Sequence, residues 1–237
     1  MGAAADLDEL ISPFLYACLV VGVFVMWMRS RIERERRRLV AKWAEHHDLG
    51  FRTAANAEVW PRIRPFSWFK KGDSQAMHDA RTTERARRPL WCFEHSYDRQ
   101  SSDGEGGTST KTYWSSNVLF EVKASLDLVE VRPERWLDKL AALVGFDDID
   151  FGGDEFSSRY HVKSASAPWA RRVINARVRC VLLETPTRIQ LALGGRHVLV
   201  QRTERIGPHD WDELIDIGTR LLAALPQDLI GPAPTAP

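Results

Sequence analysis

Chemistry needs nucleophiles, titratable groups or metal ligands at workable spacing, and in this chain such residues are scattered. Cys92 and His95 lie three apart in Leu90 to Tyr97, whose alternation predicts a strand, so they face opposite ways and form no dyad through it. His46, His47, His78, His161, His197 and His209 never fall into H-x-x-x-H or H-E-x-x-H, and neither G-x-S-x-G nor a phosphate-cradling glycine loop occurs. Cys18, Cys92 and Cys180 have no C-x-x-C partner, which suits a reducing compartment and argues against a disulfide framework or a zinc site. Arg171, Arg172, Arg177 and Arg179 beside Trp169 raise the question of nucleic acid. From Trp43 onward, however, acids and bases balance, where a phosphate-neutralising surface needs a clear positive excess. No catalytic residue, cofactor, metal or nucleic-acid partner is predicted, with one string of five residues to be weighed separately.

Gly152-Gly153-Asp154-Glu155-Phe156 resembles, letter for letter, the GGDEF signature of diguanylate cyclases. That resemblance implies a β-hairpin whose glycines let the backbone approach a guanine nucleotide, with Asp154 and Glu155 holding Mg²⁺. The surroundings depart from the family. Its upstream metal-binding segment is of D-x-x-x-F-K-x-x-N-D type, whereas Phe69-Lys70 here lacks the preceding Asp and the following Asn-Asp, and lies about 80 residues away. Ser157-Ser158-Arg159 replaces the apolar strand expected next. A two-metal site without its second source of carboxylate cannot clamp a triphosphate. The string therefore reads as coincidental, and a degenerate cyclase-like or other nucleotide-binding domain using Asp154 and Glu155 is the alternative function.

The 237 residues carry 33 basic and 32 acidic side chains, a net +1 that conceals a segregation. Asp6, Asp8 and Glu9 precede Ile11 to Met28, an uncharged run of 18 residues, just long enough to cross a hydrocarbon core of about 30 Å. Tyr16 and Trp27 mark its ends. Arg29, Arg31, Arg34, Arg36, Arg37, Arg38 and Lys42 follow at once, an order of charge opposite to that of a cleaved signal peptide. The positive-inside rule then predicts a single-pass plasma-membrane protein with a short outer N-terminus and a cytoplasmic C-terminal domain. The seven bases read as a membrane-surface collar with non-specific attraction to anionic headgroups. Residues 29–48 should continue the span as a basic helix, Glu33 pairing with Arg37, until Gly50 ends it.

Residues 49–226 are predicted to form a cytoplasmic α+β region: antiparallel strands and hairpins with helices packed on one face, in one body or in two lobes meeting near Arg132. Trp91, Phe93 and Tyr97 share one strand face, and Val118, Phe120, Val122, Ala124 and Leu126 alternate on a partner strand. Gln100 to Lys111, with no apolar residue, is expected as a long mobile tip. Pro133 opens a predicted helix through Val144. Ser166 with Pro168, Asn175 and Pro208 mark three further helix starts. Ile189 to Leu193 and Val198 to Val200 are expected as a hairpin turned by Gly194-Gly195. Residues 227–237 are expected as a disordered tail. Of nine tryptophans, Trp136 and Trp211 fit the core, while Trp68 and Trp114 are candidates for exposure at a partner-binding groove.

The order of these pieces resembles a group of uncharacterised, mostly actinobacterial membrane-anchored proteins. The matching residues are Trp43 with Leu49-Gly50-Phe51, Glu130 to Glu134, Leu137 to Phe151, Glu155-Phe156, Arg159-Tyr160, Asn175 to Val178 and Ile189 to Val200. The resemblance implies architecture and location and carries no activity. The function expected is a non-enzymatic interaction module at the inner membrane surface, its partners being the bilayer and an unidentified protein.

Overall fold

A computed structural model describes residues 5–47, 49–51, 55–85, 88–102, 107–134, 149, 151–152, 155–186 and 189–231. The chain divides into two compact units, 1–46 and 47–237. In the first, the apolar run and the basic collar are one uninterrupted helix, α1 (Ala5–His46). Leu15 to Met28 is exposed along its length, as a lipid-facing helix requires. The predicted pairing within the collar is present, with Glu33 accepting from Arg37 at 2.9 Å and from Arg36 at 3.3 Å.

The second unit is α+β. Its strands are β1 (Gly50–Phe51), β2 (Asp73–Arg85), β3 (Arg88–Ser102), β4 (Thr108–Pro133), β5 (Tyr160–Ser164) and β6 (Gln190–Arg202), all antiparallel. β4 is the hub. Its first half pairs with β3 and its second half with β5, while β6 runs along the other edge of both halves. Arg132 is the penultimate residue of β4, opposite His161. The helices are α2 (Ala55–Ile63), α3 (Glu155–Arg159), α4 (Ala167–Val173), α5 (Ala176–Glu184), α6 (Pro208–Ala224) and α7 (Gln227–Ile230), with a 3-10 turn at Ser67–Lys70.

Register sorts the core into two faces. Trp91, Leu119 and Leu199 lie side by side across three strands, and Phe93 beside them packs with Val59, Ile63 and Phe66 of the α2 region. Leu90, Phe120 and Val198 form the neighbouring row and point the opposite way, towards α6, whose Gly218 lies against the Phe120 ring. The predicted apolar stripe of α6 is buried from Trp211 to Leu222. Local signals set the other helix starts: Ser166 Oγ accepts from the Trp169 N–H, and Asn175 Oδ1 from the N–H groups of Arg177 and Val178.

Four expectations are corrected or fall outside view. Gly194-Gly195 does not turn a hairpin. β6 runs through it against β4, and Gly195, at φ +56°, lies opposite Leu126, where extra residues of β4 shift the register between the strands. The polar segment from Gln100 continues the ladder, with Gln100 opposite Thr110 and Ser102 opposite Thr108, because backbone pairing needs no apolar side chains. Residues 227–230 of the expected tail are helical, with Leu229 and Ile230 buried, and Arg88 donates to the Ile230 and Gly231 carbonyls at 2.7 and 2.8 Å. Pro133 ends β4, and the rest of its predicted helix, including Trp136, lies outside the described residues.

Candidate functional site

The collar bases sit on α1 as the sequence places them, all exposed except the half-buried Arg36. Besides the Glu33 pairs, Arg34 donates to the Ser30 carbonyl at 3.2 Å, and the Arg31 guanidinium lies 5.4 Å from the Trp27 ring centre. They make a band of positive charge directly beyond the apolar segment.

The described end of the five-residue string is helical, where the resemblance implies a hairpin. Gly153 and Asp154 lie outside the described residues. Glu155 begins α3, which runs directly into β5, and its exposed carboxylate pairs with Arg159 at 2.6 Å. Phe156 is the residue this segment gives the fold: it is buried, stacked on Tyr160 with ring centres 5.3 Å apart and edge-on to Phe151 at 5.6 Å. Among the described residues no group of three or more His, Cys, Asp or Glu converges as a metal site would require.

A cleft stands elsewhere. Along β3 the inward residues run Trp91, Phe93, His95, Tyr97, and along β4 they run Leu119, Asn117, Ser115, Tyr113 in register with them. The face is apolar where α2 covers it and turns polar at the row Phe93–Asn117–Gln201. Beyond that row the segment around Trp68 and Lys71 arches over the sheet and leaves a cavity of about 50 Å³, lined also by Gln190, Trp114 and Thr203. Its polar floor is ordered. Gln201 donates to Asn117 Oδ1 at 2.7 Å, and Asn117 Nδ2 donates to Ser115 Oγ at 3.1 Å.

Under the arch lies a buried ion pair. Glu130 Oε1 accepts the Ser67 N–H and Oε2 the Ser67 hydroxyl, each at 2.7 Å, and Arg132 donates to Oε2 at 2.5 Å. The Arg132 guanidinium lies 5.7 Å from the Trp68 ring centre. Burial, reinforced by the Arg132 charge, holds the Lys71 ammonium down to about 8. Burial, with a smaller push from His78, lowers His95 to about 4, so its ring is neutral at physiological pH. Two buried ring nitrogens of the lining, Trp68 Nε1 and His95 Nε2, have no hydrogen-bond partner. Trp68 is 4% exposed and so is not the surface tryptophan expected. Trp114 is half-buried, with the Arg205 guanidinium 3.8 Å from its ring centre and Arg205 bound in turn to Glu94 at 2.9 Å.

This cleft has no sequence motif. His95 enters the sequence pattern only as a neighbour of Cys92, which lies on the opposite sheet face. The available signal was the run of polar residues His95, Ser115, Asn117 and Gln201 at inward positions, since polar groups buried on a strand face are the informative departures from alternation.

An apolar helix long enough to span a bilayer, joined to an antiparallel α+β unit, defines a membrane protein with a folded extramembrane region. The fold is similar to that of the mycobacterial trehalose monomycolate transport factor A, TtfA, over 80% of this chain and 95% of that one, with a TM-score of 0.57 at 14% identity. No family model and no curated protein sequence matches the chain.

Proposed function

We propose that this protein is a single-pass, membrane-anchored, non-enzymatic binding module, oriented with its N-terminus outside and its α+β unit in the cytoplasm, serving as an accessory factor to a membrane-embedded partner. The observation that carries this reading is the single helix α1, in which an 18-residue uncharged segment passes without a break into seven bases. A charge step of that kind sets orientation during insertion and favours the anionic inner leaflet. The likeness to a protein named as a transport factor supports an accessory role in moving a membrane-derived lipid. The alternative centred on the GGDEF string has little support, because Glu155 is engaged with Arg159 on a short helix and Phe156 serves packing.

Two measurements on the full chain test the proposal. Reporter fusions at both termini are expected to place the C-terminus in the cytoplasm, and an external C-terminus overturns the orientation. Calorimetry with GTP and Mg²⁺ is expected to show no binding, whereas binding that disappears in Asp154→Ala would restore the nucleotide reading.

A further inference from the structure

We propose that the outer edge of β4 from Thr108 to Tyr113 is a docking site for an extended acidic segment of another protein, which adds to the sheet as a further strand and sets carboxylates beside Lys111 and Arg99. This goes beyond the membrane-anchored reading and holds whether or not that partner is itself in the membrane.

The first ground is an open place in the sheet. β2 accompanies β3 only as far as Asp98, and β6 accompanies β4 only as far as Ser116, after which the chain leaves for α6. Beyond those points β3 and β4 go on alone in unbroken register, from Arg99 opposite Lys111 to Ser102 opposite Thr108. A ribbon of two strands is marginal in water, and a third strand would complete it. The outer edge of β4 is the longer of the two, and it is exposed from Thr108 to Thr112. Thr108, Thr110 and Thr112 supply β-branched side chains suited to strand pairing where no core requires them.

The second ground is the contrast with the other strand edges. β1 pairs with β2 at Arg81 and Thr82, and the rest of β2 is broken by two register shifts and by Ser74 and Asp79, at φ +45° and +49°. β5 has five residues, and β6 is buried from Gln190 to Gly194 and again from Val198 to Gln201. Irregularity, shortness and burial all keep an edge from pairing with another chain. From Thr108 to Tyr113 β4 has a regular register, no proline and an exposed backbone.

The third ground is charge, which selects the occupant. Arg99 and Lys111 are exposed and directly opposite on one face, and like charges so placed repel. Among the described residues neither pairs with a carboxylate, and Lys111 leans over the Tyr113 ring, 5.3 Å from its centre. Two copies joined by this edge would bring both sets of bases together, whereas a strand carrying carboxylates relieves the repulsion. In strand addition the main chain supplies affinity and alternate side chains supply selectivity, so the acids belong at every second position of the segment. The other exposed side chains of the ribbon, Gln100 to Ser102 and Thr108 to Thr110, are amide and hydroxyl groups, which offer a bilayer nothing apolar to bury.

The test uses the full chain in micelles of an uncharged detergent at low salt, with a blocked peptide alternating valine and glutamate and with its glutamine and lysine counterparts. Amide hydrogen exchange is followed across residues 108–113. The glutamate peptide is expected to slow exchange there with an apparent affinity about tenfold above that of the glutamine peptide, and the lysine peptide is expected to give no protection. Lys111→Glu, which gives Arg99 a carboxylate of its own, should remove the preference for glutamate, and adding Arg99→Glu should reverse it in favour of lysine. If the doubly reversed chain does not fold, Lys111→Gln carries the comparison and should weaken binding of the glutamate peptide by about threefold. Protection by none of the peptides, equal protection by all three, or a preference that Lys111→Glu leaves unmoved overturns the proposal. So does protection that grows with the concentration of the chain alone, which assigns the edge to a second copy. Protection produced by phosphatidylglycerol in the micelles without peptide assigns it to the bilayer and overturns the proposal equally.

Discussion

Gly218 of α6 stands directly against the ring of Phe120 on β4: a β-carbon added there would lie 2.4 Å from Cε2 and 2.8 Å from Cζ. Phe120 is 1% exposed and has nowhere to retreat. On an exposed helix Gly→Ala stabilises by about 1 kcal/mol. Here overpacking of about 1–3 kcal/mol should outweigh that gain, so Gly218→Ala is expected to destabilise. Denaturant unfolding of the full chain in detergent measures it. In a Phe120→Leu background the cost should shrink by about 1 kcal/mol, since the two sites are in contact and are not additive.

The buried pair under the arch has a directional consequence. Glu130 and Arg132 have side chains only 5% and 9% exposed. Glu130→Gln leaves the Arg132 charge buried without its carboxylate and should cost about 3–5 kcal/mol. The double replacement Glu130→Met with Arg132→Met should cost far less, because it removes both charges together. A double-mutant cycle on unfolding free energies distinguishes this from simple packing loss. Additive single effects would show that the pair is not coupled.

How much of this was legible follows a physical division. The membrane helix, the Asn175 cap, the α6 stripe and the shared face of Trp91, Phe93 and Tyr97 depend on contacts close in sequence, and each was visible as a pattern. The continuity of β6 was not, because a Gly-Gly pair serves a turn and a strand kink equally well, and only pairing with β4 decides between them. The cleft was invisible for a stronger reason. It is assembled from the 3-10 turn near Trp68, the ends of three strands and the hydrogen bonds by which Ser67 holds Glu130 of the Glu130–Arg132 pair, so no local window contains it.

Acid should weaken the fold through His95. Its ordinary value of 6.5 is lowered to about 4 in the folded chain by burial, then by His78. Above 6.5 both states are neutral there and the contribution is fully present. As pH falls from 6.5 towards 4 the unfolded chain takes up the proton first, so stability is lost, by up to about 3 kcal/mol from this group. His197, lowered in the same way by burial and then by Arg62 and Arg196, adds a loss of the same sign. Unfolding free energies near neutrality and near the lower value should therefore differ less in His95→Phe than in wild type. An equal pH dependence in the two would show that His95 is not the source.

The last prediction turns on residues 155 and 156, which share one helical turn and carry opposite fates. Glu155 is 63% exposed on its side chain and Arg159 55%, so their 2.6 Å pair is worth little in water. Glu155→Ala is expected to change stability by less than about 0.5 kcal/mol. Phe156 is 1% exposed between Phe151 and Tyr160, and Phe156→Ala should cost about 3–5 kcal/mol through lost burial and the cavity left behind. A metal-binding reading of the pentapeptide demands the reverse weighting, with the acid carrying function and the phenylalanine serving it. Thermal unfolding of both variants, repeated with Mg²⁺ and GTP, separates the two. A packing role gives a large loss for Phe156→Ala alone and no ligand dependence in wild type, whereas stabilisation by Mg²⁺ and GTP that vanishes in Glu155→Ala would return the site to nucleotide chemistry.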